Sequence, residues 1–341
     1  MDWSVLKAIE ELKECEVFIN NQGSLFQLSK KEFELIRDSL SNIEESQLNL
    51  PPKYSINDAL KDVFVSKDEF QNILNVLKRK KNIVLQGPPG VGKTYIAKRL
   101  AKTLLGVDDN SKIKMVQFHQ SYAYEDFIQG IRPTESGGFE TQKGIFYDFC
   151  ETAQYDPTHN YFFIIDEINR GNLSKIFGEL MMLIEAEKRG KDWAMPLTYS
   201  KDEDFYIPKN LYIIGTMNTA DRSLAMVDYA LRRRFAFINL KPHFGDRFTT
   251  HLLNQGISSE LSNSISKKLI NLNEKIEQDN NLGKGFLIGH SYFCLSEKVE
   301  KDFLEKDWFQ SIINLEIQPL LEEYWFDKED KAKKEAKKLK G

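Results

Sequence analysis

Short apolar runs alternate with amphipathic segments through the middle of this chain of 341 residues. Between residue 66 and about residue 240, five runs have few polar interruptions, which is typical of strands buried in a parallel sheet. The segments between the runs carry apolar residues at helical spacing. This alternation predicts an α/β fold in which helices flank a parallel sheet. The five runs read "NIVLQG", "IKMVQF", "YFFIIDE", "LYIIGT" and "FAFINL".

Both ends of the chain have the spacing of helices instead. Apolar positions recur every three or four residues near the start, and they do so again after the last apolar run. The pair Pro51-Pro52 indicates a linker between the first helical region and the rest. We therefore expect a short helical extension at 1–50, an α/β domain at 51–242 and a helical region at 243–341.

Capping patterns place two helix starts. Ser29 with Glu32, and Ser66 with Glu69, match the capping box in which each residue satisfies a free backbone N–H of the other. The second pair predicts a helix over residues 67–80.

Three further segments have weaker signals. "IRPTESGGFETQKGIF", with Ser136-Gly137-Gly138 as its turn, and "MPLTYSKDEDFYIPKN" both predict β-hairpins. They are either plain surface loops or elements that project towards a ring pore or a partner. The last stretch, "KEDKAKKEAKKLK", favours a solvated helix end or a disordered tail, and a weak contact with a phosphate backbone is the alternative.

Composition narrows the possible functions. The net charge of −4 argues against a general polyanion binder, so nucleic-acid contact would need a local basic surface. The three cysteines are far apart, without disulfide or metal-ligand spacing, and are expected to be reduced core residues. No apolar run approaches the roughly 20 residues of a membrane span. We expect a cytoplasmic protein with no membrane contact.

The first candidate for chemistry is a phosphate-binding loop. In "NIVLQGPPGVGKTYIAKRLAKTLLG", a strand precedes the full P-loop pattern and an amphipathic helix follows it. Glycines let backbone N–H groups turn towards phosphate oxygens, and the helix N-terminus adds partial positive charge. Lys93 is expected to contact the β- and γ-phosphates, and the Thr94 hydroxyl to hold Mg²⁺. The loop residues are Gly87, Pro88, Pro89, Gly90, Val91, Gly92, Lys93 and Thr94.

The third apolar run ends in two adjacent carboxylates, Asp166 and Glu167. Unpaired charge is costly to bury, so these residues mark a strand end that faces a ligand. Beside a P-loop, Asp166 supports Mg²⁺ through its water shell, and Glu167 orients and deprotonates an attacking water. Asn172 then caps a predicted single helix whose apolar stripe is Leu173, Ile176, Phe177, Leu180, Met181 and Ile184.

The fourth run leads to a strand-end asparagine, Asn218, followed by three arginines one amphipathic stretch later. Ligands of parallel sheets bind outside the carboxyl ends of the strands, so an amide there can contact both the γ-phosphate and the attacking water. The arginines are predicted at the end of a helix that begins near Ser223. They either complement the C-terminus of that helix or face a neighbouring subunit, where Arg233 or Arg234 would stabilise the transition state in trans.

These features together resemble the AAA+ ring nucleotidases. More closely, "GPPGVGKT", "FIIDEINR-NLSK-FGE-MML", "PLTYS", "MNTADRSLA-VDYALRRRF" and "LGKGF-IGHSYF" resemble the McrB-type GTPase subunits of modification-dependent restriction systems. The resemblance spans about residues 65–326, and its motifs are specific, because MNTADRS is not a generic AAA+ string. Carried onto this chain, it assigns nucleotide handling to Lys93, Thr94, Asp166, Glu167, Asn218, Asp221, Arg222, Arg233 and Arg234.

The resemblance implies an AAA+ core with a C-terminal helical lid. It also implies a GTP substrate with Mg²⁺, a homo-oligomeric ring that is a hexamer in the family, an McrC-like endonuclease subunit as partner, and DNA contact through the assembly. GTP rests on the resemblance alone, because the P-loop contacts phosphates. An ATP-driven remodelling chaperone and a nucleotide-locked scaffold without turnover are the alternatives.

Two departures from the family pattern matter. The best-known members place a large DNA-binding domain before the motor, whereas only residues 1–50 precede the linker here, so base-specific recognition is expected to come from elsewhere. Many AAA+ lids also supply a sensor arginine, and the lid stretch "NLGKGFLIGHSYFC" has none. His290 or Lys284 could substitute, although a packed core histidine is the favoured interpretation of His290.

Overall fold

The computed structural model describes residues 29–34, 51–135, 137–220, 229–295 and 304–340. The chain forms two compact units, Met1–Pro52 and Lys53–Gly341. In the first unit, residues 30–34 are helical. The backbone N–H of Glu32 donates to Ser29 Oγ at 3.2 Å, and that of Ser29 donates to Glu32 Oε2 at 2.7 Å. The capping box predicted at this position is therefore confirmed.

The second unit contains a parallel sheet of five strands. Their order across the sheet is β2-β5-β8-β1-β9. In the register of β1 with β8, Gly87 pairs with Asn218, and in that of β2 with β5, Gln117 pairs with Asp166. The ends of the strands that carry the candidate site residues therefore meet at one edge. The strands are β1 (Asn82–Gly87), β2 (Ile113–Gln117), β5 (Tyr161–Asp166), β8 (Leu211–Asn218) and β9 (Ala236–Asn239).

Helices cover both faces of this sheet, which confirms the predicted α/β class. One face packs against α2 and α3 around Leu85 and Ile164, and the other packs against α5 around Phe163 and Ile213. Helix α2 begins after Ser66, whose side chain accepts from the backbone N–H of Glu69, and it spans the predicted residues. The helices are α1 (Ile56–Asp62), α2 (Lys67–Lys80), α3 (Lys93–Leu105), α4 (Tyr124–Phe127), α5 (Ile145–Tyr155), α6 (Leu173–Phe177), α7 (Leu180–Leu183) and α8 (Tyr229–Arg234).

The single helix predicted after Asn172 is wrong, because two short helices, α6 and α7, replace it. Gly178 separates them with φ 49° and ψ −128°, a backbone conformation that glycine adopts far more easily than other residues. The Tyr124 ring lies 3.0 Å from where a Cβ of Gly178 would be, and its hydroxyl donates to Glu179 at 2.7 Å. Packing of α4 on the break therefore outweighs the helical spacing.

Both predicted hairpins are present. Strands β3 (Gln129–Pro133) and β4 (Phe139–Lys143) form one antiparallel pair, and Gly137 has φ 85° in the turn between them. Ser136, which the sequence places in this turn, lies outside the described residues. Strands β6 (Met195–Leu197) and β7 (Ser200–Phe205) form the other pair, just before β8.

The region after β9 is a helical lid with its own core. Phe248, Leu269, Ile288 and Trp325 are among its buried residues. Its helices are α9 (Asp246–Gln255), α10 (Ser259–Glu277), α11 (Glu305–Ile312), α12 (Gln318–Tyr324) and α13 (Glu329–Lys340), with a π-helical turn at Ile313–Ile317 between α11 and α12.

The lysine-rich end is more ordered than the sequence favours. It forms α13, and Ala332, Ala336 and Leu339 bury one side of it against the rest of the lid. Lys331 Nζ also donates to Asp279 at 2.6 Å. Most charges of the run therefore lie on the outer face of a packed helix, whereas Glu335 is buried.

Two of the three cysteines lie among the described residues, and both are free thiols. Cys150 is buried and Cys294 is partly buried, as expected, whereas Cys15 lies outside the described residues. None of the helices that the structure describes combines the length and apolar character that a membrane span needs.

Candidate functional site

The predicted phosphate loop lies between β1 and α3. Gly87 is the last residue of β1, and Lys93 is the first of α3. Gly90 has φ 77° and Gly92 has φ 73°, so the loop uses left-handed conformations that favour glycine. Val91 is buried and anchors the loop to the core. A glycine-rich loop that leads into a helix N-terminus is suited to bind anions.

Lys93 is buried at this loop, with only 8% of its surface exposed. Its Nζ donates to the carbonyl of Gly87 at 3.1 Å, to that of Pro88 at 2.9 Å, and to Asn218 Oδ1. Burial lowers the pKa of Lys93 to about 8, against the opposing attraction of Glu167 and Asp166. A desolvated ammonium held by neutral oxygens gains strongly from an anionic partner such as a phosphate.

Thr94 and Asp166 bring two hard oxygen ligands together. Thr94 Oγ1 donates to Asp166 Oδ1 at 2.8 Å, and Thr216 Oγ1 donates to the same carboxylate oxygen at 2.5 Å. Mg²⁺ prefers oxygen ligands and usually takes only one or two from the protein, with waters and phosphates as the rest. The pair fits such an ion. No cluster of three metal-binding side chains occurs in the part of the chain that the structure describes.

Glu167 follows Asp166 in a left-handed conformation, with φ 51°, which is uncommon for a residue with a side chain. Its backbone N–H donates to Thr216 Oγ1 at 3.3 Å. Its Oε1 accepts from Asn218 Nδ2, and its Oε2 lies 3.4 Å from Arg170 Nε. The amide of Asn218 therefore contacts both Lys93 and Glu167, and it connects the phosphate loop with the candidate base.

Thr216 and Arg170 also belong to this site, although the sequence motifs did not single them out. The single hydroxyl of Thr216 donates to the Asp166 carboxylate and accepts from the backbone N–H of Glu167, and its position two residues before Asn218 on the same face of β8 was a usable signal. Arg170 lies one turn after Glu167, in a short 3₁₀ helix, where spacing alone gives no direction to its side chain.

The predicted arginines Arg233 and Arg234 lie away from the phosphate loop. Arg233 and Arg234 end α8, directly before β9, whose first residue pairs with Ile83 near the start of β1. The phosphate loop is at the other end of β1, about 17 Å away for a six-residue strand. The structure therefore does not bring these arginines to the phosphate loop of their own chain. Asp221 and Arg222 lie outside the described residues.

Both arginines contact one carboxylate. Arg233 Nη2 and Arg234 Nε each lie 3.2 Å from Glu185 Oε1. The Arg233 side chain is 67% exposed, whereas that of Arg234 is 10% exposed. Arg233 is therefore the one that can extend outwards.

The lid closes over the phosphate loop. The backbone N–H of Ser291 donates to the carbonyl of Gly90 at 2.9 Å, and Gly289 packs directly on the loop backbone. A cavity of about 380 Å³ lies beside this contact, within the range of small-molecule sites. Its lining includes Asp62, Phe64, Gly92, Tyr95, His251, Gln255 and His290.

Polar atoms in this cavity wall lack partners. His251 Nε2 and Gln255 Oε1 are buried and form no hydrogen bond with any residue that the structure describes. A buried polar atom without a partner is rare in a folded protein and points to a ligand or water. The cavity thus combines an apolar wall with polar groups available to a bound molecule.

The two lid residues that could replace a sensor arginine differ in their surroundings. His290 is buried, its Nδ1 accepts from the backbone N–H of His243 at 3.1 Å, and its ring lies 4.8 Å from that of Phe64. Burial, with His243 and His251 nearby, lowers the pKa of His290 to about 3, so it is a neutral packed histidine. Lys284 is exposed, lies 3.5 Å from Glu277, and lines a second cavity beside Gly87.

Two family models match parts of this chain. Residues 82–235 match the AAA domain of the dynein-related subfamily, and residues 264–333 match the alpha-helical lid domain of McrB. The chain is 52% identical, over 84% of its length, to the type IV methyl-directed restriction enzyme EcoKMcrB subunit of Escherichia coli. It spans 63% of the length of that relative.

A second relative is more distant. The type II restriction enzyme BsuMI component YdiS of Bacillus subtilis is 26% identical, over 61% of this chain and 72% of its own length. Among solved structures, a putative ATPase from Cytophaga hutchinsonii has a TM-score of 0.39 at 20% identity, over 65% of this chain and 68% of its own, which is too low to support an inference.

The contact of Gly289 with the loop gives a first prediction. In Gly289→Ala, the new Cβ would overlap the backbone of Gly90, so the lid must move away from the loop. We expect nucleotide affinity to fall by about 5- to 150-fold, which corresponds to the roughly 1–3 kcal/mol of an overpacked contact. Titration with a fluorescent nucleotide measures it.

Gly245→Ala is the matched control, because nothing lies within 4 Å of its Cβ position and its φ of −82° suits alanine. Equal affinities for the two variants would contradict the prediction.

The buried Lys93 gives a second prediction. Only the charged amine attracts phosphate, and in the free protein its pKa is about 8, so it loses its proton as pH rises through that value. Bound phosphate favours the charged form and raises this pKa. Affinity should therefore be level below pH 7 and fall by about tenfold per pH unit above pH 8.

Equilibrium titrations from pH 6.5 to 9.5 measure this effect. Lys93→Ala, which binds more weakly, should lack this part of the pH dependence. Parallel curves for the two proteins would exclude Lys93 as its source.

Proposed function

Because this chain carries an McrB-type AAA domain followed by an McrB lid domain, we propose that it is a Mg²⁺-dependent GTPase that serves as the ring-forming motor subunit of a restriction system. One observation carries the hydrolytic activity. At a single edge of the sheet, Lys93, the oxygen pair of Thr94 and Asp166, and the contact of Glu167 with Asn218 lie side by side.

The chain's own groups divide the chemistry among them. Lys93 binds the β- and γ-phosphate oxygens, in place of the carbonyls that it contacts here. Asn218 orients the attacking water, and Glu167 takes its proton as the water oxygen attacks the γ-phosphorus and the nucleoside diphosphate leaves. A Mg²⁺ ion held by Thr94 and, through water, by Asp166 would neutralise phosphate charge.

We further propose that Arg233 and Arg234 act on the active site of a neighbouring subunit in the ring. Two features support this role. The arginines lie near the amino-terminal end of β1, whereas their own phosphate loop follows its carboxyl-terminal end, and Arg233 is largely exposed. A guanidinium supplied in trans is worth about 10³- to 10⁵-fold in related phosphoryl transfers. Such an arrangement requires a closed oligomer, and the resemblance favours a hexamer.

The cavity under the lid supports GTP as the substrate. It adjoins Gly92 and so lies where the nucleoside of a loop-bound nucleotide would extend. Asp62 offers a carboxylate there, which is an acceptor for the ring N–H and the amino group of guanine, whereas adenine presents an acceptor at that ring nitrogen. Gln255 Oε1 and His251 Nε2, which have no hydrogen-bond partner among the described residues, supply further contacts.

An endonuclease subunit is the proposed partner, and DNA the substrate of the assembly. Support comes from the relatives, which are a restriction enzyme subunit and a restriction enzyme component, and from the specific MNTADRS string. The same string disfavours a remodelling chaperone. The intact pair of Glu167 and Asn218 disfavours a scaffold without turnover.

The decisive variant is Glu167→Gln. The phosphate loop and the metal ligands remain, so nucleotide should bind with near wild-type affinity. The water loses its base, so turnover should fall by about 10²- to 10⁴-fold. Steady-state phosphate release is measured with GTP and with ATP, each with and without Mg²⁺ and the endonuclease subunit of the same system.

Lys93→Ala is the control, because it should lose binding first. Near wild-type turnover of Glu167→Gln would remove Glu167 from the role of base. Faster release from ATP than from GTP would favour the chaperone alternative, and no release from either, alone or with the partner, would favour the scaffold.

Asp62→Asn tests the choice of base separately. The amide keeps the size of the side chain but weakens the acceptor for guanine, so GTP affinity should fall by about 5- to 150-fold, while ATP affinity should be unchanged or rise. Competition titrations measure both. Asp68→Asn, in α2 and outside the cavity lining, is the control. An equal loss for both nucleotides would show that Asp62 does not select the base.

A further inference from the structure

A buried polar cluster lies at the amino-terminal ends of the strands of the sheet. The phosphate loop lies at the opposite, carboxyl-terminal ends. The centre of the cluster is formed by Arg189, which is 1% exposed, and by Asn82, the first residue of β1, which is fully buried. Arg189 Nη2 donates to Asn82 Oδ1 at 2.6 Å. We call this pair the edge clamp.

Every partner found for Arg189 among the described residues is a neutral oxygen. Nε and Nη2 each donate to the carbonyl of Ile184 at 3.1 Å, and Nη1 donates to the carbonyl of Leu211, the first residue of β8. Burying a guanidinium without a carboxylate is costly, and an apolar side chain would avoid that cost. The rigid five-donor fork is thus suited to fix separate backbone segments in one geometry.

One of the segments that the edge clamp fixes contains the carboxylate that contacts the arginines of α8. The carbonyl of Ile184 accepts from Asn82 Nδ2 at 2.8 Å as well as from Arg189, and it immediately precedes Glu185. Glu185 holds the guanidinium groups of both Arg233 and Arg234. The clamp therefore sets the position of the carboxylate that orients these two side chains.

The backbone of the arginines is held in the same way. The carbonyl of Arg234 accepts from Asn82 Nδ2 at 3.2 Å, and the carbonyl of Arg233 accepts from Lys80 Nζ at 3.0 Å. Asn82 thus contacts the end of α8 directly, while Arg189 acts through Asn82 and Ile184. Asn82, the first residue of β1, therefore contacts both the segment before Glu185 and the segment that carries the arginines.

We propose that Asn82 and Arg189 are positioning residues for the arginines that this chain supplies to a neighbouring active site. The inference rests on the trans role proposed above. Both residues lie at the end of β1 opposite the phosphate loop of their own chain. Loss of the clamp should therefore impair catalysis in the next subunit and leave the subunit's own nucleotide binding intact.

Mixed rings separate these effects. Acceptor subunits carry Arg233→Ala and Arg234→Ala, with an intact phosphate site, and donor subunits carry Glu167→Gln, with intact arginines. In the reference mixture, turnover arises where an acceptor site meets a donor's arginines. Adding Arg189→Leu to the donor should lower this turnover by about 10²-fold, the scale of a misplaced catalytic group. Adding it to the acceptor should leave the turnover unchanged.

Two further donor variants sharpen the test. Asn82→Ala removes the direct contact with Arg234 and should lower turnover in the same direction, and it serves in place of Arg189→Leu if that protein does not fold. Arg247→Leu is the matched control, because this exposed lid arginine donates to the carbonyl of Leu60 at 3.3 Å and to no other residue in the described part of the chain, so its loss should have no effect. Nucleotide affinity and ring formation are measured for each protein.

The outcomes distinguish the two proposals. An inactive reference mixture with confirmed rings overturns the trans role of the arginines, and the edge clamp with it. An active reference mixture in which Arg189→Leu has equal effects in donor and acceptor overturns the clamp alone. Loss of nucleotide affinity in Arg189→Leu, equal to its loss of turnover, would make the cluster a purely structural one.

Discussion

The parallel pairing of β1 with β8 is the constraint on which the rest of this structure depends. Its register places Gly87 opposite Asn218, and the neighbouring β5 ends at Asp166 beside them. Because side chains at the carboxyl ends of adjacent strands converge, three separate segments form one site without long loops. A shift of one residue would turn the side chains of β8 to the other face, and Asn218 would then leave both Lys93 and Glu167.

Electrostatics at this edge follow from that convergence. Lys93, Asp166 and Glu167 are brought together with little water, and each is satisfied partly by a neutral group: Lys93 by loop carbonyls, Asp166 by two hydroxyls and Glu167 by an amide. Neutral partners hold the charged groups in place without neutralising their charges. The site is therefore preorganised for an anion with its cation, because its charged groups are held mainly by neutral partners, alongside the 3.4 Å ion pair of Glu167 with Arg170.

The sequence was informative wherever local chemistry decided the structure. The five strands, the capped helix after Ser66 and the two hairpins follow from periodicity and turn residues, and the structure confirms them. The sequence also predicted that the strand ends of Asp166 and Asn218 meet the phosphate loop, but it was uninformative where side chains from distant segments pack on one another. The break at Gly178 depends on a ring from α4, and the cavity under the lid unites Asp62 with residues more than 180 positions later.

The edge clamp could not be predicted either, because it too is formed by residues that are far apart in the sequence. Arg189 is a single arginine between lysines and glycine in "EKRGKDW", where spacing favours an exposed side chain. Its partners are backbone carbonyls and the amide of Asn82, and such acceptors leave no pattern in a sequence. A buried arginine with neutral partners becomes visible only when the folded chain brings them together.

Strand β1 also links two functional regions of the subunit rigidly. Its six residues join the phosphate loop at one end to the support of the arginines at the other. In a closed ring of such subunits, one end of each strand would belong to one interface and the other end to the next. A strand is stiff along its axis, so a displacement produced by nucleotide at one interface would be transmitted almost undiminished to the following one. The strands of the sheet would then connect successive interfaces rigidly. The order in which neighbouring sites respond to nucleotide would depend on strand length as much as on any flexible hinge.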